Sequence, residues 1–138
     1  MRMNMPMERQ AARLIRTTVV LLVGNMGQTL GWYRELGFES KYYPPGFAIV
    51  WRDGIKLFLQ HEPGYKKPDD PAARERGAWD VYIETDEVEA LFRELSTNPQ
   101  IRITRELCPQ EYGQTEFDVE DVNGYMLVFA GATAKPSA

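Results

Sequence analysis

Asp53-Gly54-Ile55-Lys56-Leu57-Phe58-Leu59 in the first half of the chain is answered in the second by Asn123-Gly124-Tyr125-Met126-Leu127-Val128-Phe129. Each begins with a dipeptide suited to a tight turn and runs into a strand that closes its half. Upstream, Tyr33-Arg34-Glu35-Leu36 is echoed by Phe92-Arg93-Glu94-Leu95, near the end of a short helical pattern in each case. A repeat of about sixty residues, each copy too small to stand alone, predicts two βαβββ units packed around shared surface. Side chains at matching positions of the two copies then decide what the protein does.

Eight strands and two helices follow from the pattern. Leu14 to Val23 is a β-branched and leucine run dense enough for an interior strand, and Gly24-Asn25 stops it. Gln28 to Leu36 sets Leu30, Tyr33 and Leu36 at helical spacing, with Gly37 as the C-terminal stop. Phe38 to Tyr43 and Phe47 to Arg52 read as strands around Pro44-Pro45-Gly46, and Ile55 to Gln60 returns from the Asp53-Gly54 turn. The second copy runs through strand Trp79 to Thr85, helix Glu87 to Leu95, strand Ile101 to Arg105 and a loop over Glu106 to Tyr112. Strands Thr115 to Glu120 and Tyr125 to Phe129 complete it. The expected organisation is an N-terminal extension (1–13), a first module (14–61), a linker (62–78), a second module (79–130) and a disordered tail (131–138), all within one structural domain.

The composition, 43% apolar and 26% charged over 138 residues, is that of a globular protein with a true core. No apolar run approaches the ~20 residues of a membrane-spanning helix, and Met1 to Gln10 lacks the apolar stretch of a secretory signal. The single cysteine, Cys108, leaves no internal disulfide and fits a reducing compartment, so a cytoplasmic location is expected. A net charge of −4 argues against non-specific nucleic-acid binding, and mild acidity suits a cationic ligand.

Val23-Gly24-Asn25, followed by Leu30-Gly31-Trp32-Tyr33-Arg34-Glu35-Leu36-Gly37-Phe38, resembles the V-x-D … FY-x-x-LGF opening of the vicinal oxygen chelate superfamily. That superfamily contains glyoxalase I, bleomycin-resistance proteins, fosfomycin-resistance enzymes and extradiol dioxygenases. Tyr112-Gly113, Phe117 and Glu120-Asp121-Val122-Asn123-Gly124 are similar to its closing yG … f … DPdGn pattern, so the resemblance spans residues 14 to 130. It implies an α+β fold in which two βαβββ modules form a curved, partly closed mixed-sheet barrel around a cleft, with helices outside. It also implies a homodimer, because in many members the cleft is completed across the subunit interface.

The family's enzymes hold a divalent metal in that cleft. Ligands come from the first strand of each module (His or Gln) and the last (usually Glu). Carried over position by position, these slots fall on Thr18 and Asp80, then on Phe58 (Lys56 if the strand slips by two) and Val128. Iron, zinc or nickel sites need several nitrogen or oxygen donors converging, and only Asp80 is a competent one. Neither a metal nor any other cofactor is expected. His61, the sole histidine, sits at a strand end beside Glu62-Pro63, and both a partly exposed structural role and an acid/base or ligand-binding role stay open. Cys108 has no second histidine to activate it and reads as a loop or interface thiol.

The contents of the cleft follow from the hairpin. A two-residue turn at Asp53-Gly54 pairs Arg52 with Ile55, Trp51 with Lys56, Val50 with Leu57 and Ile49 with Phe58. Side chains alternate faces, so Ala48, Val50, Leu57 and Leu59 belong against the helices, whereas Phe47, Ile49, Trp51, Lys56, Phe58 and Gln60 face the cleft. The same alternation adds Arg16, Thr18 and Val20 from the first strand, Asp80, Tyr82 and Glu84 from the fifth, and Met126 and Val128 from the last. The candidate ligand-binding residues are therefore Phe47, Trp51, Phe58, Asp80, Tyr82, Glu84 and Met126. Aromatic faces hold cations, and a carboxylate in an apolar pocket fixes an amine or amide. The same rings also suit packing inside a barrel or a dimer interface, and Trp32 and Tyr33 suit packing of the first helix onto its sheet.

Two kinds of function fit. One is a metal-free protein similar to the bleomycin-resistance branch, sequestering a small aromatic or cationic molecule as such proteins do antibiotics. The alternative is a superfamily enzyme (a lyase, isomerase or dioxygenase) with a rearranged metal site or with carboxylate acid/base chemistry by Asp80 or Glu84. The missing ligands favour the first.

Overall fold

The computed structural model describes residues 11–77 and 79–134, so most of the expected N-terminal extension and the end of the expected tail lie outside the described residues. The first half forms β1 (Val20–Val23), α1 (Met26–Glu35), β2 (Glu39–Tyr43), β3 (Phe47–Arg52) and β4 (Ile55–His61). A short α2 (Pro71–Glu75) follows, and then β5 (Val81–Glu84), α3 (Val88–Ser96), β6 (Arg102–Pro109), β7 (Gln114–Glu120) and β8 (Met126–Ala132). The two sheets have the orders β1-β4-β3-β2 and β5-β8-β7-β6, each with its first strand parallel to its last and the other pairs antiparallel. The chain is thus α+β and built from two βαβββ modules. Among the described residues no backbone ladder joins one sheet to the other.

The central hairpin has the expected register, with Trp51 opposite Lys56 and Ile49 opposite Phe58. Asp53 takes φ 52° in its turn, a left-handed conformation that aspartate tolerates. Helix α1 starts where the Asn25 side chain accepts the Gln28 amide (2.9 Å). It ends in a paired stop, with the Gly37 and Phe38 amides donating to the carbonyls of Arg34 and Tyr33. Gly37 has φ 92°, and a Cβ there would stand 2.8 Å from Arg52 Nη1.

Several elements differ from expectation. Strand β8 runs to Ala132, into the tail expected to be disordered from residue 131, because β7 offers partners as far as Gln114 opposite Ala132. The first strand begins at Val20, not Leu14, and Leu14 and Ile15 are fully or largely exposed. Val20 lies opposite Phe58, so Thr17 would lie opposite Ile55 and everything earlier faces the Asp53-Gly54 turn, where no partner strand exists. Strand β6 runs on to Pro109 through register shifts around Arg105, because β7 still offers partners there, with Cys108 opposite Glu116. The expected linker contains α2, capped by the Asp70 carboxylate on the Ala73 amide (3.1 Å) with Pro71 at its first turn.

One face of each sheet is buried with its helix, and both buried faces merge into a single apolar cluster that includes Leu21, Tyr33, Leu57, Leu59, Leu95, Phe117 and Leu127. Polar contacts fasten the halves. Buried Tyr33 donates its hydroxyl to Asp121 Oδ2 (2.9 Å), while Asp121 Oδ1 accepts the amides of Asn123 and Tyr125 (2.8 Å each). The Tyr125 hydroxyl reaches back to the Leu22 carbonyl (2.7 Å), and Arg52 makes a two-pronged ion pair with Glu94 (3.0 Å each). Burial pushes the Asp121 carboxyl up from its ordinary range, and these hydrogen bonds offset only part of that shift.

Asp121→Ala strips the acceptor from one phenol and two amides in a buried setting and should cost about 2–4 kcal/mol in urea unfolding. Tyr33→Phe leaves the amides paired and should cost about 1 kcal/mol. Equal losses would show that the turn amides contribute nothing.

Candidate functional site

The face of each sheet turned away from its helix is its open face, partly exposed on the first sheet and closed over Glu116, Asp118 and Val128 on the second, and the two differ in character. On the first sheet, Phe47, Ile49, Trp51 and Phe58 are half-buried and Val20 is exposed. Phe47 packs edge-on against Phe58 (5.1 Å between centroids) and lies beside Tyr43 (6.1 Å). Two ammonium groups hover over this surface, Lys41 above Tyr43 (5.8 Å) and Lys56 above Phe58 (5.4 Å).

The second sheet presents carboxylates and phenols instead. Glu116 is fully buried and Asp118 nearly so. Arg105 Nη2 donates to Glu116 Oε1 (3.0 Å) and Asp118 Oδ1 (2.8 Å), and its Nε donates to Asp118 Oδ2 (3.0 Å). Tyr82 donates its hydroxyl to the other Glu116 oxygen, Oε2 (2.7 Å), and Tyr112 donates to that same oxygen. Val128, also fully buried, lies in register between Tyr82 and Asp118. Desolvation would push the Glu116 carboxyl up, but the hydrogen bonds from Tyr112, Tyr82 and Arg105 outweigh it and hold the group below the usual carboxylate range. Burial, followed by the bond to Glu116, raises the Tyr82 phenol, and the Asp118 hydrogen bond raises Arg105.

The structure distributes the sequence-predicted residues over three places. Trp51, Tyr82 and Glu84 line one groove of about 760 Å³ with Arg16, Thr18 and Lys56, between the approach to β1, the β3–β4 hairpin and β5. Phe47 and Phe58 lie further along the first open face. Asp80 and the nearly buried Met126 line a separate hollow of about 310 Å³ beside Lys67 and Arg74. There Asp80 Oδ2 accepts the Met126 amide (2.8 Å) and faces Lys67 Nζ (3.6 Å). His61 Nε2 stands 3.3 Å from the Gly24 carbonyl, and Cys108 is half-buried on β6.

Glu116, Asp118, Arg105 and Tyr112 are not among the residues expected at the site. For the first two a signal existed: Glu116, Asp118 and Glu120 alternate with Thr115, Phe117 and Val119 in a strict period of two. Arg105 and Tyr112 meet Glu116 only through the irregular β6–β7 pairing, which composition does not show.

The positions that resemble the family's metal-binding slots carry an unsuitable donor set. Phe58 and Val128 offer no donor atom and Thr18 only a neutral hydroxyl, while Asp80 is engaged by the Met126 amide and Lys67. Among the described residues, no three His, Cys, Asp or Glu side chains gather as a metal-binding group.

Residues 15–129 match the model of the Glyoxalase/Bleomycin resistance protein/Dioxygenase superfamily. No curated protein matches. Among solved structures, a bleomycin-binding protein complexed with bleomycin is similar at 21% identity and a TM-score of 0.68, covering 87% of this chain and 100% of the other. A bleomycin resistance determinant encoded on transposon Tn5 is similar at 21% identity and 0.67, covering 88% and 100%. A glyoxalase-related enzyme from Clostridium phytofermentans aligns at 14% identity and 0.72, covering 91% and 100%. The chain belongs to that superfamily.

The Glu116 network predicts a pH dependence of definite sign. Its folded-state value lies below that of the unfolded chain, which therefore takes up the proton first on acidification. The stability it contributes is complete above the ordinary glutamate value of about 4.3 and is lost as the pH falls through the lower folded-state value. The urea midpoint of the native protein should exceed that of Glu116→Gln at pH 7, and the gap should close below about pH 4. A gap independent of pH would contradict this.

Proposed function

We infer that the protein binds a small aromatic or cationic organic molecule without a metal and sequesters it, as an antibiotic-resistance protein of the bleomycin-binding kind does. The observation that carries this reading is the set of half-exposed rings on the first open face, with Trp51 brought to Tyr82 and Glu84 in one groove. A core would bury such rings. Here Phe47, Trp51 and Phe58 keep surface for a ligand, with Lys56 and the carboxylate of Glu84 nearby. The solved bleomycin-binding protein with bleomycin bound shares this fold, which supports sequestration as the activity.

A homodimer in the cytoplasm completes this reading. One chain brings only the Trp51 end of its aromatic face to the second sheet, leaving Phe47 and Phe58 half-exposed. The lysines of the first face and the carboxylates of the second are complementary in charge, so a partner's second sheet suits the uncovered rings. In that arrangement Asp80, Tyr82, Glu84 and Met126 of one subunit oppose Phe47, Trp51 and Phe58 of the other. Acid/base catalysis by Asp80 is less well supported, because its carboxylate already holds the Met126 amide and faces Lys67.

A panel of aromatic and cationic compounds, bleomycin included, should contain members that raise the melting temperature and change tryptophan fluorescence. Trp51→Ala should fold and weaken those members by about tenfold or more. Undiminished binding in that variant would remove Trp51 from the site.

A further inference from the structure

The buried Glu116 carboxylate is capped by two exposed phenols, and a third exposed ring stands beside one of them. Trp79, Tyr82 and Tyr112 are 45%, 37% and 59% exposed, and Trp79 lies against Tyr82 at 5.1 Å between centroids. Beneath them the two oxygens of Glu116 are unequally served. Oε1 has the Arg105 guanidinium, which Asp118 shares, whereas Oε2 has only the two neutral phenols. The phenols also differ in support. Tyr82 stands on β5, hydrogen-bonded in the sheet beside β8. Tyr112 stands on the exposed turn between β6 and β7, where the Gln110 amide meets the Gln114 carbonyl (2.7 Å) and Gly113 has φ 88°.

We propose that Glu116 is the counter-ion for a protonated amine, which enters among Trp79, Tyr82 and Tyr112 and replaces the Tyr112 hydroxyl on Oε2. The proposal rests on the small-molecule-binding reading above and narrows its ligand to a primary or secondary ammonium on an aromatic or apolar body. Two effects drive the exchange. A charged N–H donor makes a shorter and roughly twofold stronger hydrogen bond to a carboxylate than a neutral donor does. The exposed rings of Trp79, Tyr82 and Tyr112 add cation–π attraction for the same group once water is excluded. Tyr112 is the residue that yields, since it is the more exposed of the two phenols and stands on a surface turn, whereas Tyr82 is held within a sheet. In the absence of ligand its phenol closes Oε2, so the carboxylate stays satisfied in both states.

Calorimetric titration of the full-length protein at pH 7 with benzylamine and with its neutral analogue benzyl alcohol tests this. Benzylamine should bind at least about tenfold more tightly. Tyr112→Phe keeps the ring and removes the competing hydroxyl, so it should tighten benzylamine roughly threefold or more and tighten benzyl alcohol less. Glu116→Gln should abolish the preference for the amine. If that variant fails to fold, Tyr112→Phe decides alone, because its ring is mostly exposed. Equal binding of amine and alcohol, no benzylamine binding up to about 10 mM, or weaker amine binding by Tyr112→Phe would overturn the proposal. Trp51 is not among the side chains that meet Glu116, so Trp51-dependent binding that survives with no amine preference removes only this proposal. An amine preference that persists without Trp51-dependent binding removes only the reading above.

Discussion

The hydrogen bond between the buried hydroxyl of Tyr33 and Asp121 ties the first helix of one module to the closing turn of the other, and the proposed binding surface depends on that union. A β-sheet has two faces, and period-two alternation sends each side chain irrevocably to one of them. Both modules commit their apolar face to a common core, which the contacts of Tyr33, Tyr125 and the Arg52–Glu94 pair fasten across the modules. The other two faces are thereby left to chemistry. Their residues stand at matching positions of a duplicated frame, yet they are aromatic with lysines on one sheet and acidic with phenols on the other.

The second open face shows how a sheet built for charge remains stable in the described structure. Two buried carboxylates would each be strongly disfavoured alone. Arg105 bridges both, and Tyr82 and Tyr112 supply the remaining donors, so the Glu116 carboxyl is held below its ordinary range although its side chain is buried. The cation among these carboxylates is a guanidinium supplied by the chain itself. The positions that resemble the superfamily's metal slots carry Thr18, Phe58 and Val128, so the recognition proposed above rests on rings and fixed charges.

Much of this architecture was legible before any coordinates. The Asp53-Gly54 turn determines the register of β3 and β4, and through alternation it separates Val50 and Leu57 from Trp51 and Phe58. Gly37 marks the end of α1 because the helix must leave through a left-handed residue there. Leu14 to Val19 misled, since an apolar run states a preference for strand but cannot say where its partner ends. The bulged pairing of β6 was hidden for a related reason: Glu106, Cys108 and Pro109 lack alternation, and only β7 makes them a strand. The acidic stripe Glu116, Asp118 and Glu120 is legible as a period-two alternation with Thr115, Phe117 and Val119, but its burial is not, because Arg105 and the phenols that cover it come from other strands and turns. The meeting of Tyr82, Tyr112 and Arg105 at one carboxylate joins residues up to 34 positions apart and is a tertiary fact.

The central claim is that this fold serves recognition through aromatic and charged side chains in place of a metal. Elemental analysis by inductively coupled plasma, on protein purified without chelator or affinity metal, tests it most directly. The account predicts zinc, nickel, manganese and iron all far below one equivalent per chain while ligand binding is retained. A stoichiometric divalent metal whose removal abolishes that binding would contradict it.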